Sequence, residues 1–291
     1  MSLSSLYLDA FVAVARTKNF TQAGERLHIT QSALSQRIHH LEAELETPLL
    51  IRDRSGVRLT PVGERLLRYC QMKDGLEEEF LSEVHPSNKT ESAGVVRVGS
   101  FSSMARSVLL PAVANLAALA PIQVSIMTRE FSELPGMLRR AEVDLIVTGK
   151  KIDREDMEAI FLGNEEYVLV RSARHRSPQS GSWYLDHDEE DEITFQYCRK
   201  FTSKKKSHQT VRRRYLDEIY SLIDGVKLGL GQAVLPRHLV QVDRDLEVVD
   251  PLSALKIPVW LHHWTQPYYS KLHQELVSAI RSHAEKVLVS S

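Results

Sequence analysis

The sequence predicts two units of different class: a mainly α-helical unit at the N-terminus, closed by a short hairpin, and an α/β unit behind it. Three observations predict this. Over the first 60 residues apolar side chains recur near a 3.6-residue period. From Gly94 onward, apolar runs of strand length alternate with helix-like segments. Between the two, residues 85–93 (HPSNKTESA) are polar and include a proline, the composition of a hinge. A length of 291 residues suits about two domains.

In SSLYLDAFVAVARTKNF, residues Leu6, Phe11, Val14 and Ala15 fall on one helical face. Thr21 can cap a short second helix that ends at Arg26 and Leu27. His28 and Ile29 make the joint. Thr30 caps a third helix with Ala33, Leu34, Ile38, Leu41 and Leu45 as its inner face. Thr47-Pro48 ends it, because the residue before proline is pushed out of the α region. In LLIRDRSGVRLT two short apolar runs flank a turn at 52–56, which reads as a hairpin. Thr60 then caps, and Pro61 begins, a helix over 61–84. Its stripe is Val62, Leu66, Tyr69, Cys70, Leu76, Phe80 and Val84, with an interruption expected at Asp74-Gly75. Such a stripe must bury itself, and a second copy of the same helix would serve.

Behind the hinge, GVVRVGSF, PIQVSIMTRE, VDLIVTG, EEYVLVRS, residues 193–197, QAVLP and IPVWLHHW read as strands, and residues 268–287 as a closing helix. The alternation predicts a mostly parallel sheet. Two stretches are biased in charge, DHDEEDE at 186–192 and KKKSHQTVRRR at 204–214, and both read as solvated faces.

Composition excludes several classes. With 37 Lys+Arg against 38 Asp+Glu the net charge is −1, so any nucleic acid must be held by a local surface. Residues 1–60 carry seven cations and six anions. No apolar run approaches the roughly 20 residues that span a bilayer. The N-terminus, with Asp9 and no basic segment, is not a secretory signal. Two distant cysteines, Cys70 and Cys198, give neither a disulfide framework nor a metal quartet, and a reducing cytoplasm is expected. Phosphate-binding glycine loops, GxSxG and HExxH are absent, and the pairs His39-His40 and His262-His263 are adjacent, which is poor ligand geometry. The chain is therefore expected to be no enzyme and to need no cofactor or metal.

Two helices with a three-residue joint, followed by an Arg-bearing hairpin, form a winged helix-turn-helix. The second helix of such a pair enters the major groove by its N-terminal end. Here that end is Thr30, Gln31 and Ser32, followed by Ser35, Gln36 and Arg37. Gln reads adenine bidentately and Ser bonds several base edges. The wing arginines Arg52 and Arg54 reach the backbone or minor groove. The runs FTQAGERLHITQSALSQRIHHLEAEL, PLLIRDRSGVRLTPVGERLL and VKLGLGQAVLP closely resemble the LysR-type transcriptional regulators, densely over the first 65 residues and more loosely, but in order, to the C-terminus. The resemblance implies a DNA-reading domain (1–60), a linker helix that dimerises (61–84), a hinge (85–93) and an effector domain like a periplasmic binding protein (94–291). The two lobes of that domain would be 94–170 with 264–291, and 171–263. It also implies dimers of dimers on two promoter sites, with RNA polymerase as a further partner and no membrane.

Carried over position by position, Gln31, Ser32 and Ser35 match base contacts, Thr21, Gln36 and Arg37 match phosphate contacts, and Arg52 and Arg54 match the wing. Many members have Pro at Ser32 and Ser-Arg-Gln at 35–37. The Ser-Gln-Arg order here resembles the arginine/lysine-responsive branch. In the implied fold a small effector, anionic or amino-acid-like, sits between the lobes. Ser100, Ser102, Ser103, Thr128 and Thr148 would line the first side, and Tyr197 and Asp217 the second. Each hydroxyl could equally satisfy local backbone. The family carries a full helix after the strand placed at 193–197, where this chain has about 20 residues before its glycine-bearing helix. A shortened second lobe is therefore expected, with the run 204–214 recognising an anion or the acidic stretch 186–192. A plain small-molecule carrier is the alternative reading.

Overall fold

The computed structural model describes residues 3–53, 56–84, 94–119, 122–175, 183–201 and 212–290. Arg54, the hinge at 85–93 and the lysines at 204–206 lie outside them.

Helix α1 (Ser5–Thr17) buries Leu8, Phe11, Val14 and Ala15, and stops where Lys18 turns left-handed at φ 54. Helix α2 (Phe20–Arg26) is capped by Asn19, not by Thr21: the Asn19 side chain accepts from Thr21 N at 2.9 Å and Gln22 N at 3.2 Å. Asn and Thr both cap well, and the longer Asn side chain, two positions earlier, accepts from two backbone amides at once. Helix α3 (Gln31–Glu44) begins at Thr30 as expected but ends before Thr47-Pro48, with Glu46 at φ 52. Strands β1 (Leu50–Asp53) and β2 (Gly56–Leu59) pair antiparallel. Helix α4 (Pro61–Val84) runs unbroken through Asp74-Gly75. One glycine costs a helix only about 1 kcal/mol, and the apolar stripe continues past it. Phe11, Leu34, Ile38, Leu41, Leu49 and Leu67 make the core of this unit. Beyond Cys70, α4 leaves Leu76, Phe80, Leu81 and Val84 exposed.

The second unit opens with β3 (Val95–Ser100), α5 (Ser102–Met104), a π-turn at 105–109 and α6 (Leu110–Ala117). Then follow β4 (Gln123–Thr128), α7 (Leu134–Arg139), β5 (Leu145–Thr148), β6 (Met157–Ser172) and β7 (Trp183–Asp186). The chain continues through α8 (Ile193–Phe201), β8 (Arg212–Tyr215), α9 (Ile219–Lys227), β9 (Ala233–Pro236), α10 (Arg237–Val240) and β10 (Leu246–Val248). It closes with β11 (Leu255–Trp264) and α11 (Lys271–Val287), which Ser270 caps.

The sheet order is β10-β6-β11-β5-β3-β4, with β9 also on β6. It is mixed, not mostly parallel. Only β3 lies parallel to its neighbours β4 and β5, while β6 runs antiparallel to β9, β10 and β11. The long strands β6 and β11 pair antiparallel with each other along Leu255–Trp264, so parallel pairing in this sheet is confined to β3 and its two neighbours. One core gathers Val98, Leu145, Leu162 and Leu261 under α6 and α11. Another gathers Val168, Val170 and Leu185 under α9. Strand β6 serves both, while β11 gives Val259 and Leu261 to the first and Leu255 to a third core around Tyr197.

Residues 193–197 are helix, not strand. Thr194, Phe195, Tyr197 and Cys198 are buried at helical spacing, and the Asp191 carboxylate accepts from Ile193 N at 2.9 Å. A helix, α8, therefore lies between β7 and β8 where a strand was expected. The short apolar run was ambiguous by period alone.

His273 packs in α11 between Tyr269, stacked at 4.8 Å, and His263 at 4.7 Å. Burial, with a smaller repulsion from His263, lowers its imidazole to about 4. The unfolded chain protonates near 6.5, so stability is full above that pH and is lost as pH falls toward 4. The loss is at most about 3 kcal/mol. Urea midpoints at pH 7 and pH 4.5 should diverge in the native chain and diverge less in His273→Gln, where the buried His262 and His263, also lowered by burial, still contribute; equal losses in both would exonerate His273.

Candidate nucleic-acid interface and effector cleft

The interface is built on the approach of α2 to α3. A methyl at Gly24 would meet the Ile29 carbonyl oxygen at 2.8 Å, so only glycine permits the joint to pass so close. His28 turns it at φ 54, and Ile29 N donates to Gly24 O at 2.9 Å. The Thr30 hydroxyl accepts from Ala33 N at 3.2 Å and lies 3.0 Å from Ser32 Oγ. These bonds start α3 rigidly.

With Leu34, Ile38 and Leu41 turned inward, Gln31, Ser32 and Gln36 are exposed, and Ser35 and Arg37 are half-buried. Positions 31, 32, 35 and 36 recur at helical neighbour spacing and share one face. The Glu42 carboxylate accepts from Leu49 N at 2.8 Å and Leu50 N at 3.2 Å, which ties the wing to α3. Arg52 sits in β1 and not in the turn. Its guanidinium lies 3.9 Å over the Phe20 ring, and both terminal nitrogens stand 3.4 Å from Ser35 Oγ. The structure thus brings Arg52 to the face carrying Ser35. Thr21 is exposed in the first turn of α2. Sequence reasoning missed Asn19, Glu42 and Phe20. Of these, only Asn19 carried a signal, as a second capping residue two positions before Thr21.

The expected effector positions divide. Ser100 and Thr128 face each other at the ends of β3 and β4, and Thr148 ends β5. Ser102 and Ser103 begin the helical stretch that follows β3. Parallel strands bring these five residues to one edge, as open sheets do with ligand-binding ends. The hydroxyls of Ser100 and Ser103 are buried and have no hydrogen-bond partner among the described residues, and a buried orphan hydroxyl is costly unless a ligand or water meets it. Thr148 is satisfied locally, donating to Lys150 O at 2.7 Å. Tyr197 lies in α8 with its hydroxyl on Ser253 O at 3.2 Å. Asp217 is exposed between β8 and α9, its carbonyl 2.9 Å from His187 Nδ1. Among the described residues no hydrogen bond joins either of them to the five.

The described part of the basic run has a structural role. Arg213 pairs with the buried Asp186, and donates to the carbonyls of Glu189 (3.1 Å), Asp188 (2.9 Å) and Asp191 (2.7 Å). The acidic stretch is thus held by its backbone, with Asp188, Glu189, Glu190 and Glu192 exposed. Cys70 is buried in the N-terminal core, where burial pushes its thiol up to about 12, so it stays protonated.

Two family models match the chain: the bacterial regulatory helix-turn-helix protein of the lysR family over residues 7–64, and the LysR substrate binding domain over residues 89–285. A probable HTH-type transcriptional regulator, LrrA of Synechococcus elongatus, is 32% identical over 237 residues, covering 79% of this chain and 80% of that protein. Among solved structures, ArgP of Mycobacterium tuberculosis matches over the whole of both chains with a TM-score of 0.81 at 21% identity. LysG of Corynebacterium glutamicum with bound effector Arg covers 98% of this chain and 99% of its own, with a TM-score of 0.75 at 17% identity.

Proposed function

Since the chain belongs to the LysR family of DNA-binding transcriptional regulators, we propose that it reads promoter DNA through Gln31, Ser32 and Ser35, with Thr21, Thr30, Gln36, Arg37, Arg52 and Arg54 on the phosphates and groove edges. The observation that carries this reading is the one exposed face of α3, held beside Arg52 by the Phe20 ring and the Glu42 clamp. A small effector, anionic or amino-acid-like, would enter at the strand ends, where Ser100 and Ser103 hold hydroxyls unsatisfied among the described residues; LysG, of similar fold, was solved with Arg bound. The exposed Leu76, Phe80 and Val84 on α4 would pack on a second copy, as a dimer that can pair into a tetramer. We read the chain as non-enzymatic and cytoplasmic; no helix among the described residues is long and apolar enough to cross a membrane.

Footprinting of the tagged protein across its host genome tests the reading. Discrete promoter peaks are expected for the native chain and none for Ser35→Ala, Arg37→Ala. A uniform background for both would make the helix-turn-helix merely structural. In vitro, affinity for a recovered promoter duplex should fall log-linearly with salt, by a slope of about 0.9 for each phosphate neutralised. Arg37→Ala should reduce that slope by about one phosphate per bound protomer, and an unchanged slope would remove Arg37 from the phosphate set.

A further inference from the structure

One short element touches both working ends of the molecule. Helix α7 begins at the effector cleft. Just before it, the Phe131 ring lies against Phe101 (centroids 4.7 Å apart) and covers Gly149, where a methyl would come within 3.2 Å of the ring. Phe101 and Gly149 flank Ser100, Ser102 and Thr148, so Phe131 lies beside the strand ends where the effector is proposed to enter. The body of α7 is locked to the sheet. Leu134 needs the bare backbone of Gly99, at 3.1 Å from a built methyl, and Met137 and Leu138 are buried with Ile146 and Trp264.

At its far end α7 enters the DNA-binding unit. Ala141 N donates to Leu138 O at 3.2 Å, and Glu142 N to Met137 O at 3.0 Å, the two bonds of a Schellman turn. The left-handed residue of such a turn is usually glycine; here it is Ala141, at φ 54. A non-glycine residue held there is strained and invites a functional explanation. The Ala141 methyl supplies one, since it packs against the core of residues 8–70. Around it, Gln71 Nε2 on α4 donates to Ala141 O at 3.0 Å, Lys18 after α1 pairs with Glu142 at 3.1 Å, and the Arg68 guanidinium lies 4.0 Å over Trp264. Trp264 Nε1 in turn donates to Leu138 O at 3.2 Å.

We propose that α7 is a push-rod: Phe131 is an effector-site residue displaced when the cleft fills, and Ala141 delivers that displacement to α1 and α4. The inference rests on the cleft assignment above. Packed interiors move as units, so a rod six residues long with a buried flank shifts as a whole.

The test is hydrogen exchange on the full-length chain, with affinity for a recovered promoter duplex measured in parallel. Phe131→Ala removes the ring from an exposed loop and should speed exchange of the α4 amides at 66–74 about three-fold or more. Ala141→Gly relieves the left-handed strain while removing the methyl. In that background the response of 66–74 to Phe131→Ala should fall by half or more, the polar links to Gln71 and Lys18 remaining, although residues 134–139 still respond. Phe131→Leu, which keeps an apolar cover, should behave as the native chain. Unchanged exchange at 66–74 in Phe131→Ala, or an equal response with and without the Ala141 methyl, overturns the push-rod. A chain that retains no duplex in any form, yet shows the exchange pattern, instead overturns the DNA-reading assignment.

Discussion

Arg213→Ala should destabilise the second lobe by about 3–5 kcal/mol, the usual result of removing one partner from a buried ion pair. Arg213 and Asp186 are almost fully buried, their side chains 7% and 2% exposed. Arg213 also donates to three carbonyls of the 188–191 turn and lies between the Phe195 and Tyr215 rings at 4.8 and 5.2 Å. Alanine leaves Asp186 with only the Thr194 hydroxyl as a side-chain donor among the described residues, and removes the donor to three carbonyls. Lysine cannot restore this, because an ammonium has no planar fork to serve a carboxylate and three carbonyls at once. Burial already raises the Asp186 carboxyl above its ordinary value despite Arg213. Without the guanidinium it rises further. A group raised in the folded state adds stability in acid that is lost as pH climbs through its folded value. The deficit of Arg213→Ala should therefore be largest at neutral pH and shrink in acid. Urea unfolding followed through Trp183, which the Arg214 guanidinium overlies at 4.5 Å, measures both. A deficit under 1 kcal/mol, or one that grows in acid, would contradict the account.

That site also shows where the sequence could and could not be read. The order of elements in the N-terminal unit was legible because each boundary has a local cause: Thr30 caps α3, Thr60 and Pro61 begin α4, and the inner faces repeat at 3.6 residues. Which of two neighbouring capping residues wins, Asn19 or Thr21, depends on reach, and composition cannot decide it. The segment at 193–197 was misread because five residues rich in β-branched and aromatic types carry both periods. Its helical nature is settled by Asp191 behind it and by the buried ring of Tyr197 under Ser253, a contact 56 residues away. The mixed sheet was hidden for the same reason: strand direction follows from the antiparallel pairing of β6 with β11, a long-range fact. The gathering of hydroxyls at the ends of β3, β4 and β5 was legible by position, but the ring of Phe131 beside them was not, since nothing local distinguishes a loop phenylalanine that covers Gly149 from one that faces solvent.

Two glycines of one helix give opposite expected results. Gly63 stands in the first turn of α4, where a methyl would lie 2.2 Å from the Leu49 carbonyl oxygen and 3.2 Å from a Leu59 methyl. The oxygen is backbone, and it is already fixed by Thr60 N at 2.9 Å, so no side-chain rotation relieves the clash. Gly63→Ala must pry α4 from the base of the wing, where Leu49, Leu66 and Leu67 are buried together. Overpacking a core by one methyl typically costs about 1–3 kcal/mol, and an unyielding backbone places this case at or above the upper end. The wing also carries Arg52 to Ser35, so duplex binding should fall along with stability, while the effector domain keeps its own core. Gly75, five residues past Cys70, the last described buried residue of the same helix, has nothing within 4 Å of a built methyl. There alanine removes only the entropic penalty of glycine, and Gly75→Ala should stabilise α4 by about 1 kcal/mol. Thermal unfolding of both variants beside the native chain, with duplex retention as the second readout, checks the pair. If Gly63→Ala unfolds like the native chain, the close approach of α4 to Leu49 is not what holds the wing; if Gly75→Ala loses stability, that side of α4 is covered by something its methyl displaces, and a second copy of the helix would be the first place to look.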